Sequence, residues 1–231
     1  MIATTVSLAA LAAGAAAHGA FHRNSVLFGR VMSALPSGGS SVALTFDDGP
    51  NPEATPRVLD ALAESGQVAT FFVLGRHAER WPALVRRIAS EGHEVGNHGW
   101  HHRKLHASGP RAVRRDLTMG TDAIQDAAGL RPRFFRAPHG FRSPWVSAIA
   151  TSLGQRTVGW TLGVHDTDRP GAAEIARRTL GGARPGAIIL LHDGDGYDPD
   201  GDRRQTAEAL PAILAGLRER GLGLAPLPPP E

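Results

Sequence analysis

The sequence predicts an α/β protein whose parallel strands close into a barrel. Short apolar segments rich in β-branched residues alternate along the chain with segments of helical periodicity. Repeats of this kind form parallel sheets with right-handed crossovers, and many in succession favour closure into a barrel. A second observation agrees, because the polar clusters all lie just after predicted strands, where α/β proteins carry their functional sites.

The individual elements follow from apolar periodicity and from glycine and proline at their ends. Predicted strands cover residues 42–46, 70–73, 93–95, 133–136, 156–162, 187–191 and 222–224. Predicted helices cover residues 56–63, 82–90, 113–128, 144–153, 171–180 and 206–220. Pro82 suits a first helical turn and Gly129 the end of a helix, so both mark predicted boundaries.

Composition limits the classes of protein that the chain can belong to. It has 231 residues, 42% of them apolar, which is enough for one sizeable core. The formal net charge is +3 without a basic stripe, so no nucleic-acid partner is expected. Cysteine is absent, which excludes disulfides, thiolate metal sites and a cysteine nucleophile. We therefore expect one catalytic domain and a monomer.

Residues 1–40 are predicted to be an apolar N-terminal segment followed by a linker. Residues 1–20 are rich in alanine and fit three interpretations equally, namely a secretory signal, a membrane anchor or a disordered or misassigned start. Ser37-Gly38-Gly39-Ser40 predicts a flexible linker. The folded domain is expected over residues 41–227, with a tail at 228–231. We expect membrane contact only through the N-terminal segment and favour an extracytoplasmic location.

Two consecutive carboxylates, Asp47 and Asp48, end the first predicted strand. Neighbouring side chains on a strand diverge, but the turn through Gly49-Pro50-Asn51-Pro52 allows both to reach one cleft. Buried adjacent carboxylates repel each other unless a cation or a shared proton relieves the repulsion. We therefore expect a cation at this end of the strand.

His98 and His102 are the candidate partners of that cation. They follow a predicted strand and lie four residues apart, so one helical turn places both imidazoles on the same side. With Asp48 they form a two-histidine, one-carboxylate set that suits Zn²⁺ and leaves positions for water and a substrate oxygen. One divalent ion is the expected cofactor, Zn²⁺ first, with Co²⁺, Ni²⁺ or Mn²⁺ as alternatives. The remaining histidines of this part of the chain are interpreted as surface or supporting residues: His77, His93, His101 and His106.

Two further segments supply candidate acid and base chemistry. Arg136 ends a strand at the same predicted edge, where its guanidinium can orient Asp47 as a general base. The turn after Arg136 can direct a backbone N–H, that of His139, towards a developing oxyanion. His192 ends the apolar strand 187–191 and, beside a carboxylate such as Asp166, can be kept protonated as a general acid.

Taken together, these segments resemble the polysaccharide deacetylase family, the NodB-type carbohydrate esterases of family four, over roughly residues 41–227. The resemblance is carried by Thr45-Phe46-Asp47-Asp48-Gly49, His98-x-x-x-His102, Arg136-x-Pro138-x-Gly140, Asp166 and Leu190-Leu191-His192. It implies a distorted, partly open (β/α) barrel.

The resemblance also implies a role for each matching residue. Asp47 would be the catalytic base, and Asp48, His98 and His102 would bind the metal. Arg136 would position Asp47, and His192 would be the general acid, tuned by Asp166. Leu190 would help to enclose the acetyl methyl group of the substrate.

Three positions depart from the family pattern. Gly99 stands where Ser or Thr is usual, so the hydroxyl that braces the metal loop is missing. His139 replaces a tyrosine, which spares the backbone donor but changes a side chain facing the substrate. Thr167 follows Asp166 where a tryptophan commonly lines the acyl pocket.

The expected function is hydrolysis of N-acetyl groups from amino sugars of an oligo- or polysaccharide, chitooligosaccharide or peptidoglycan-like. Two alternatives stay open: a related metal-dependent amidohydrolase acting on a non-sugar C–N bond, and a non-catalytic glycan-binding protein. The acidic loop 193–202 is interpreted as a solvated rim loop, from which Tyr197 could stack on a sugar or serve only in packing. The four tryptophans are expected in or near the core: Trp81, Trp100, Trp145 and Trp160.

Overall fold

A curved sheet of eight short strands carries the fold, and the structure, a computed structural model, describes residues 8–229. The strands are β1 (Ser41–Asp47), β2 (Thr70–Val73), β3 (Glu94–Asn97), β4 (Phe134–Phe135), β5 (Arg156–Thr157), β6 (Leu162–Gly163), β7 (Ile188–His192) and β8 (Gly223–Leu224). Their order is β5-β4-β3-β2-β1-β7-β6, with β8 paired to β1, and every pair is parallel. The predicted α/β barrel is confirmed as a half-barrel, open between its edge strands β5 and β6.

Most of the helices cover the outside of this sheet. They are α1 (Leu8–Phe21), α2 (Ala54–Glu64), α3 (Gly75–Arg80), α4 (Pro82–Ser90), α5 (Pro110–Ala128), α6 (Val146–Ser152), α7 (Ala172–Gly182) and α8 (Arg204–Glu219). Alternation along β1 separates the two faces of the sheet, because Leu44 and Phe46 join the apolar cluster under the helices. Thr45 and Asp47 face the barrel interior, where both meet Arg136.

The structure departs from the predicted elements at two places. Helix α3 was not predicted, because it is short and its sequence, Gly75-Arg76-His77-Ala78-Glu79-Arg80, lacks an apolar stripe. The single strand predicted at 156–162 is wrong, since the structure has two short strands, β5 and β6. Between them Val158 pairs with Met32 rather than with a neighbouring strand of the sheet.

Part of the N-terminal segment packs on the opening of the half-barrel. Arg142 donates its backbone N–H to the Ala20 carbonyl, Met32 is buried, and Ala34 pairs with Ala187. Packing on the barrel therefore begins near residue 20, before the predicted domain boundary at residue 41. Residues 1–7 of the predicted signal or anchor, and residues 230–231 of the predicted tail, lie outside the described residues. Within residues 8–229, no helix has the length and apolar character needed to cross a membrane.

The register of β1 and β7 brings polar residues together at one edge of the sheet. Asp47 is the Cα partner of His192 in this pair, and Asn97 on β3 is the partner of Phe135 on β4. Because all four strands run parallel, their carboxyl ends meet at the same rim. The residues that follow these ends are those singled out by the sequence.

Candidate metal centre and active site

The end of β1 presents both carboxylates to one cleft. Asp47 is the last residue of the strand, and Asp48 has φ 71°, in the left-handed region. Both are buried, with 3% and 4% of their surface exposed. The divergence expected of adjacent strand residues is thus removed by the backbone turn at Asp48, as the turn signal after it suggested.

Asp48, His98 and His102 form a cluster that can hold a metal ion. Their candidate ligand atoms all lie within 4.8 Å of one another. The Asp48 Oδ1 atom lies 3.3 Å from His98 Nε2 and 3.1 Å from His102 Nε2. That oxygen is buried and has no hydrogen-bond donor in the described residues. One carboxylate oxygen facing two imidazole nitrogens is a donor set that suits a divalent cation such as Zn²⁺, so the residues present fit the expected cofactor.

Hydrogen bonds behind the cluster hold its members in position. The Nδ1–H of His98 donates to the Arg136 carbonyl oxygen at 2.9 Å, which leaves Nε2 free to act as a ligand. The Nδ1–H of His77, on α3, donates to the Asp48 carbonyl oxygen at 2.8 Å. His77, interpreted from the sequence as a surface or supporting residue, is 1% exposed and braces the turn that carries Asp48.

The surroundings of Asp48 and His102 favour the protonation states in which these side chains bind a metal ion. Burial would raise the pKa of Asp48, but His98 and His102 hold the pKa of that carboxyl well below its usual range. Burial lowers the pKa of His102 to about 3, against the opposing effect of Asp48. An ionised carboxylate and a neutral imidazole are the states in which these side chains bind metal ions.

Arg136 ties Asp47 to the barrel interior. Its Nη1 donates to Asp47 Oδ1 at 2.7 Å and to Thr45 Oγ1 at 2.8 Å, and its Nη2 donates to the Gly159 carbonyl at 2.9 Å. The guanidinium is fully buried. The second carboxylate oxygen, Asp47 Oδ2, lies 3.7 Å from His98 Nε2 and therefore faces the metal cluster.

His192 stands beside Asp47 with its own carboxylate partner. Its Nδ1–H donates to Asp166 Oδ1 at 2.8 Å, and its backbone N–H donates to Asp166 Oδ2 at 2.8 Å. Thr206 Oγ1 also donates to Asp166 Oδ2, at 2.9 Å. Burial would lower the pKa of His192, but the Asp166 charge and hydrogen bond raise it to about 9. The imidazole is thus held protonated at neutral pH, the state a general acid requires.

The metal loop is braced without the hydroxyl that Gly99 lacks. Asp116, buried on α5, accepts the Trp100 backbone N–H at 3.0 Å and a hydrogen from His101 Nδ1 at 2.8 Å. Asn97 Oδ1 accepts the Gly99 N–H at 2.8 Å. Gly99 has φ +79°, and a Cβ there would lie 2.6 Å from Asp116 Oδ2. A side chain at position 99 would therefore displace the Asp116 carboxylate from the hydrogen bonds that brace the loop.

The rim of the cleft is formed by more exposed side chains. His139, with φ 58°, shares a 2.8 Å hydrogen bond between its Nε2 and the Tyr197 hydroxyl. The His139 ring lies 4.6 Å from the His102 ring, centroid to centroid. Gly196 also packs against His102, since a Cβ there would lie 2.4 Å from His102 Nδ1. The rim loop is therefore seated directly on the metal cluster.

These groups enclose a cleft of about 560 Å³. Its lining includes the predicted site residues Asp47, Asp48, His98, His102, His139, Leu190, His192 and Tyr197. Arg136 and Asp166 lie behind the lining, in contact with Asp47 and His192. All ten predicted site residues thus gather in or directly behind the cleft at the carboxyl ends of the strands.

Several residues of the site had no distinctive sequence signal. Asp116 lies inside a helical pattern and His77 in an unpredicted helix, so neither could be placed from sequence. Trp160, expected in or near the core, packs against a core cluster and also lines the cleft with Thr167. The same expectation is wrong for Trp145, which is 36% exposed. Arg23 also lines it, although it belongs to the predicted N-terminal extension. Only the packing of the N-terminal segment on the half-barrel opening brings Arg23 there.

A half-barrel that gathers two histidines and a carboxylate at the carboxyl ends of its strands is typical of hydrolases that use a divalent metal ion. Comparison with known protein families narrows this class. The family model described as polysaccharide deacetylase matches residues 35–158, more than half of the chain. The chain belongs to the polysaccharide deacetylase family.

Individual relatives agree with this assignment. The chain is 42% identical over 205 residues to a chitooligosaccharide deacetylase of Sinorhizobium fredii, covering 86% of this chain and 95% of that protein. It resembles the crystal structure of a peptidoglycan N-acetylglucosamine deacetylase in complex with a benzamide derivative, with 33% identity, a TM-score of 0.79, and coverage of 86% of this chain and 91% of that one. It also resembles a family 4 pseudoenzyme from Bacillus anthracis, with 27% identity, a TM-score of 0.75, and coverage of 83% of this chain and 66% of that one.

Proposed function

We propose that this protein hydrolyses N-acetyl groups from amino sugars of an acetylated oligo- or polysaccharide, releasing acetate and a free amine. One observation carries the proposal. Asp47 and His192, a carboxylate and an imidazole on neighbouring strands, flank a cluster of Asp48, His98 and His102 that fits a divalent metal ion.

The relatives support the substrate class. The Sinorhizobium fredii protein is named for chitooligosaccharides, and the aligned crystal structure is named for peptidoglycan N-acetylglucosamine. Both names describe removal of an acetyl group from an N-acetylated amino sugar. We propose Zn²⁺ as the bound ion, because two neutral imidazoles and one carboxylate are a common ligand set of catalytic zinc sites.

A divalent ion held by Asp48, His98 and His102 would polarise the amide carbonyl and favour ionisation of the attacking water. In the proposed reaction, Asp47 takes a proton from this water, and Arg136 keeps Asp47 pointed at it. The backbone N–H of His139 donates to the oxyanion that forms on the amide carbonyl. His192 then gives its Nε2 proton to the leaving amine, so the C–N bond breaks with acetate as the second product.

Leu190 and Tyr197 are proposed to contact the substrate from opposite sides of the cleft. Leu190 lines the cleft with Val164 and Thr167, and this group would receive the acetyl methyl. Tyr197 is 65% exposed on the rim and offers an aromatic face to a sugar ring.

Mass spectrometry of candidate substrates after incubation with metal-loaded protein tests the proposal. Chitooligosaccharides and peptidoglycan fragments are expected to lose the mass of one acetyl group, with acetate as the co-product. Loss of ammonia or ring opening from small cyclic amides, without deacetylation of any glycan, would instead establish a non-sugar amidohydrolase. Tight glycan binding without turnover would establish a binding protein.

A further inference from the structure

Arg23 supplies a positive charge to the cleft that the chemistry proposed above does not use. It lies outside the segment that the family model matches, residues 35–158, and reaches the cleft because the N-terminal segment covers the half-barrel opening. Its side chain is half-buried in the cleft wall. The backbone against it is closely packed, since a Cβ on Gly140 would lie 2.7 Å from the Cβ of Arg23.

Neighbouring hydrogen bonds fix the orientation of this arginine. Its Nε donates to the Trp160 carbonyl at 3.1 Å, and its guanidinium carbon lies 5.4 Å from the centre of the Trp160 ring. Asn24 Nδ2 donates to the same carbonyl at 2.9 Å, and Asn24 Oδ1 accepts the Trp160 N–H. In residues 8–229, neither terminal nitrogen of Arg23 has a hydrogen-bond acceptor, so both remain for a ligand.

The carboxylates that line the cleft already have partners other than Arg23. Of its lining carboxylates, Asp47 is paired with Arg136 and Asp195 with Arg203, each at 2.7 Å, while Asp48 faces the two histidines of the metal cluster. Arg23 forms no salt bridge within the part of the chain that the structure describes. An uncompensated guanidinium in a cleft for a polymeric substrate attracts a negatively charged group on that substrate.

We propose that Arg23 binds a carboxylate on the sugar next to the one that is deacetylated. Among the acetylated glycans considered above, the preferred substrate would then be one in which amino sugars alternate with carboxylate-bearing sugars, and a neutral homopolymer would be bound more weakly. A lactyl ether carboxylate and a uronic acid carboxylate share this chemistry. The planar fork of Arg23 would bind either of them through two parallel N–H···O bonds, with Trp160 beside it as an apolar wall.

This inference rests on the proposed function, and the test separates the two. Acetate release is measured with three substrates: a neutral N-acetylglucosamine oligomer, a muramic-acid-containing oligomer and a glucuronic-acid-containing oligomer. Wild type is compared with Arg23→Gln, Arg23→Lys and Arg30→Gln, where Arg30 is an exposed arginine of the same segment. Binding of each oligomer to the Asp47→Asn variant, with and without Arg23→Gln, is measured by calorimetry.

Arg23→Gln is expected to raise KM for at least one carboxylate-bearing oligomer about tenfold, the value of one charge-assisted hydrogen bond, with kcat unchanged. Arg23→Lys should restore part of the loss, and added salt should weaken wild-type binding of that oligomer. Arg30→Gln should change nothing. The two charged oligomers distinguish a lactyl from a uronic carboxylate.

Equal losses on neutral and charged oligomers, or none, would overturn the proposal and leave Arg23 as a brace for Trp160. If wild type releases acetate from none of the oligomers, the proposed function fails. The calorimetric comparison still decides whether Arg23 recognises the carboxylate.

Discussion

The floor and the rim of the cleft are built in opposite ways. On the floor, each charged group is buried and has a partner: Arg136 is 0% exposed against Asp47, and Asp166 is 2% exposed against His192. On the rim, Tyr197 is 65% exposed, and its hydroxyl shares one hydrogen bond with His139. Buried charges without partners are costly, so floor residues cannot change singly. Rim residues are more exposed and can change at smaller cost.

From this contrast we expect the floor residues to act in the reaction and the rim residues to select the substrate. Substitutions on the floor should affect kcat or metal binding, whereas substitutions on the rim should affect KM. Each experiment below can contradict that division.

Replacing the proposed base, Asp47, should have the largest effect. Asp47→Asn keeps the shape of the side chain and its contact with Arg136 but removes the proton acceptor, so kcat should fall by about 10³-fold or more. Metal content, measured by mass spectrometry of the purified protein, should stay at the wild-type level. Asp122→Asn, at an exposed position on α5, is the matched control and should be fully active. Unchanged turnover in Asp47→Asn would remove Asp47 from the reaction.

Replacing the partner of the acid should change the pH profile. Asp166→Asn removes the charge that raises the pKa of His192 to about 9, so the pKa should fall and kcat at neutral pH should drop about 10²-fold. Wild-type activity should be lost as pH rises through the His192 pKa, and this alkaline limb should move to lower pH in the variant. NMR titration of the His192 ring in metal-free protein measures the pKa directly.

The same pair has a consequence for stability. Because the folded-state pKa of His192 lies above its ordinary value of 6.5, protonation of His192 stabilises the fold fully below pH 6.5. This contribution is lost as pH rises through about 9.

The activity profiles also provide the contradicting outcome. If activity falls over the same alkaline pH range in wild type and in Asp166→Asn, Asp166 does not set the pKa of His192.

Weakening the brace of the metal loop should lower metal affinity. Asp116→Asn loses the charge that holds the Trp100 N–H and His101, so affinity for Zn²⁺ should fall about 10-fold to 100-fold. Asp126→Asn, exposed on the same helix, is the control. Competition with a chelating dye measures both, and equal affinities would show that Asp116 does not support the metal loop.

Removing the rim hydroxyl should have the smallest effect. Tyr197→Phe loses only the hydrogen bond to His139 and keeps the aromatic face, so KM should rise about twofold to threefold with kcat unchanged. Tyr197→Ala, which also removes the ring, should raise KM further. A fall in kcat without a change in KM would move Tyr197 from the rim to the chemistry.

Much of the fold was predictable because strand and helix patterns are local. Strand 70–73 and helix 82–90 appear at the predicted bounds, and Gly129 ends α5 with φ 72°. The strand predicted at 156–162 failed because Val158 pairs with Met32, a residue far away in the sequence. The local sequence around Val158 contains no signal for a pairing partner as distant as Met32.

In the candidate site, too, residues in local motifs were predictable, whereas residues placed by distant contacts were not. Asp47, Asp48, His98 and His102 lie in short motifs at strand ends, so residue type and spacing sufficed to select them. Asp116 and His77 act through carboxylate and imidazole contacts to the backbone of those motifs. Contacts of this kind have no fixed spacing in the chain.

The sequence by itself determined which groups meet in the candidate site, because parallel strands bring their carboxyl ends to one edge of the sheet whatever their exact curvature. Only the tertiary structure decided what surrounds those groups. The brace at Asp116, the wall at Trp160 and the charge at Arg23 all come from segments distant in the chain. Their positions depend on how the N-terminal segment and α5 pack on the half-barrel, which is a property of the assembled core and not of any one motif.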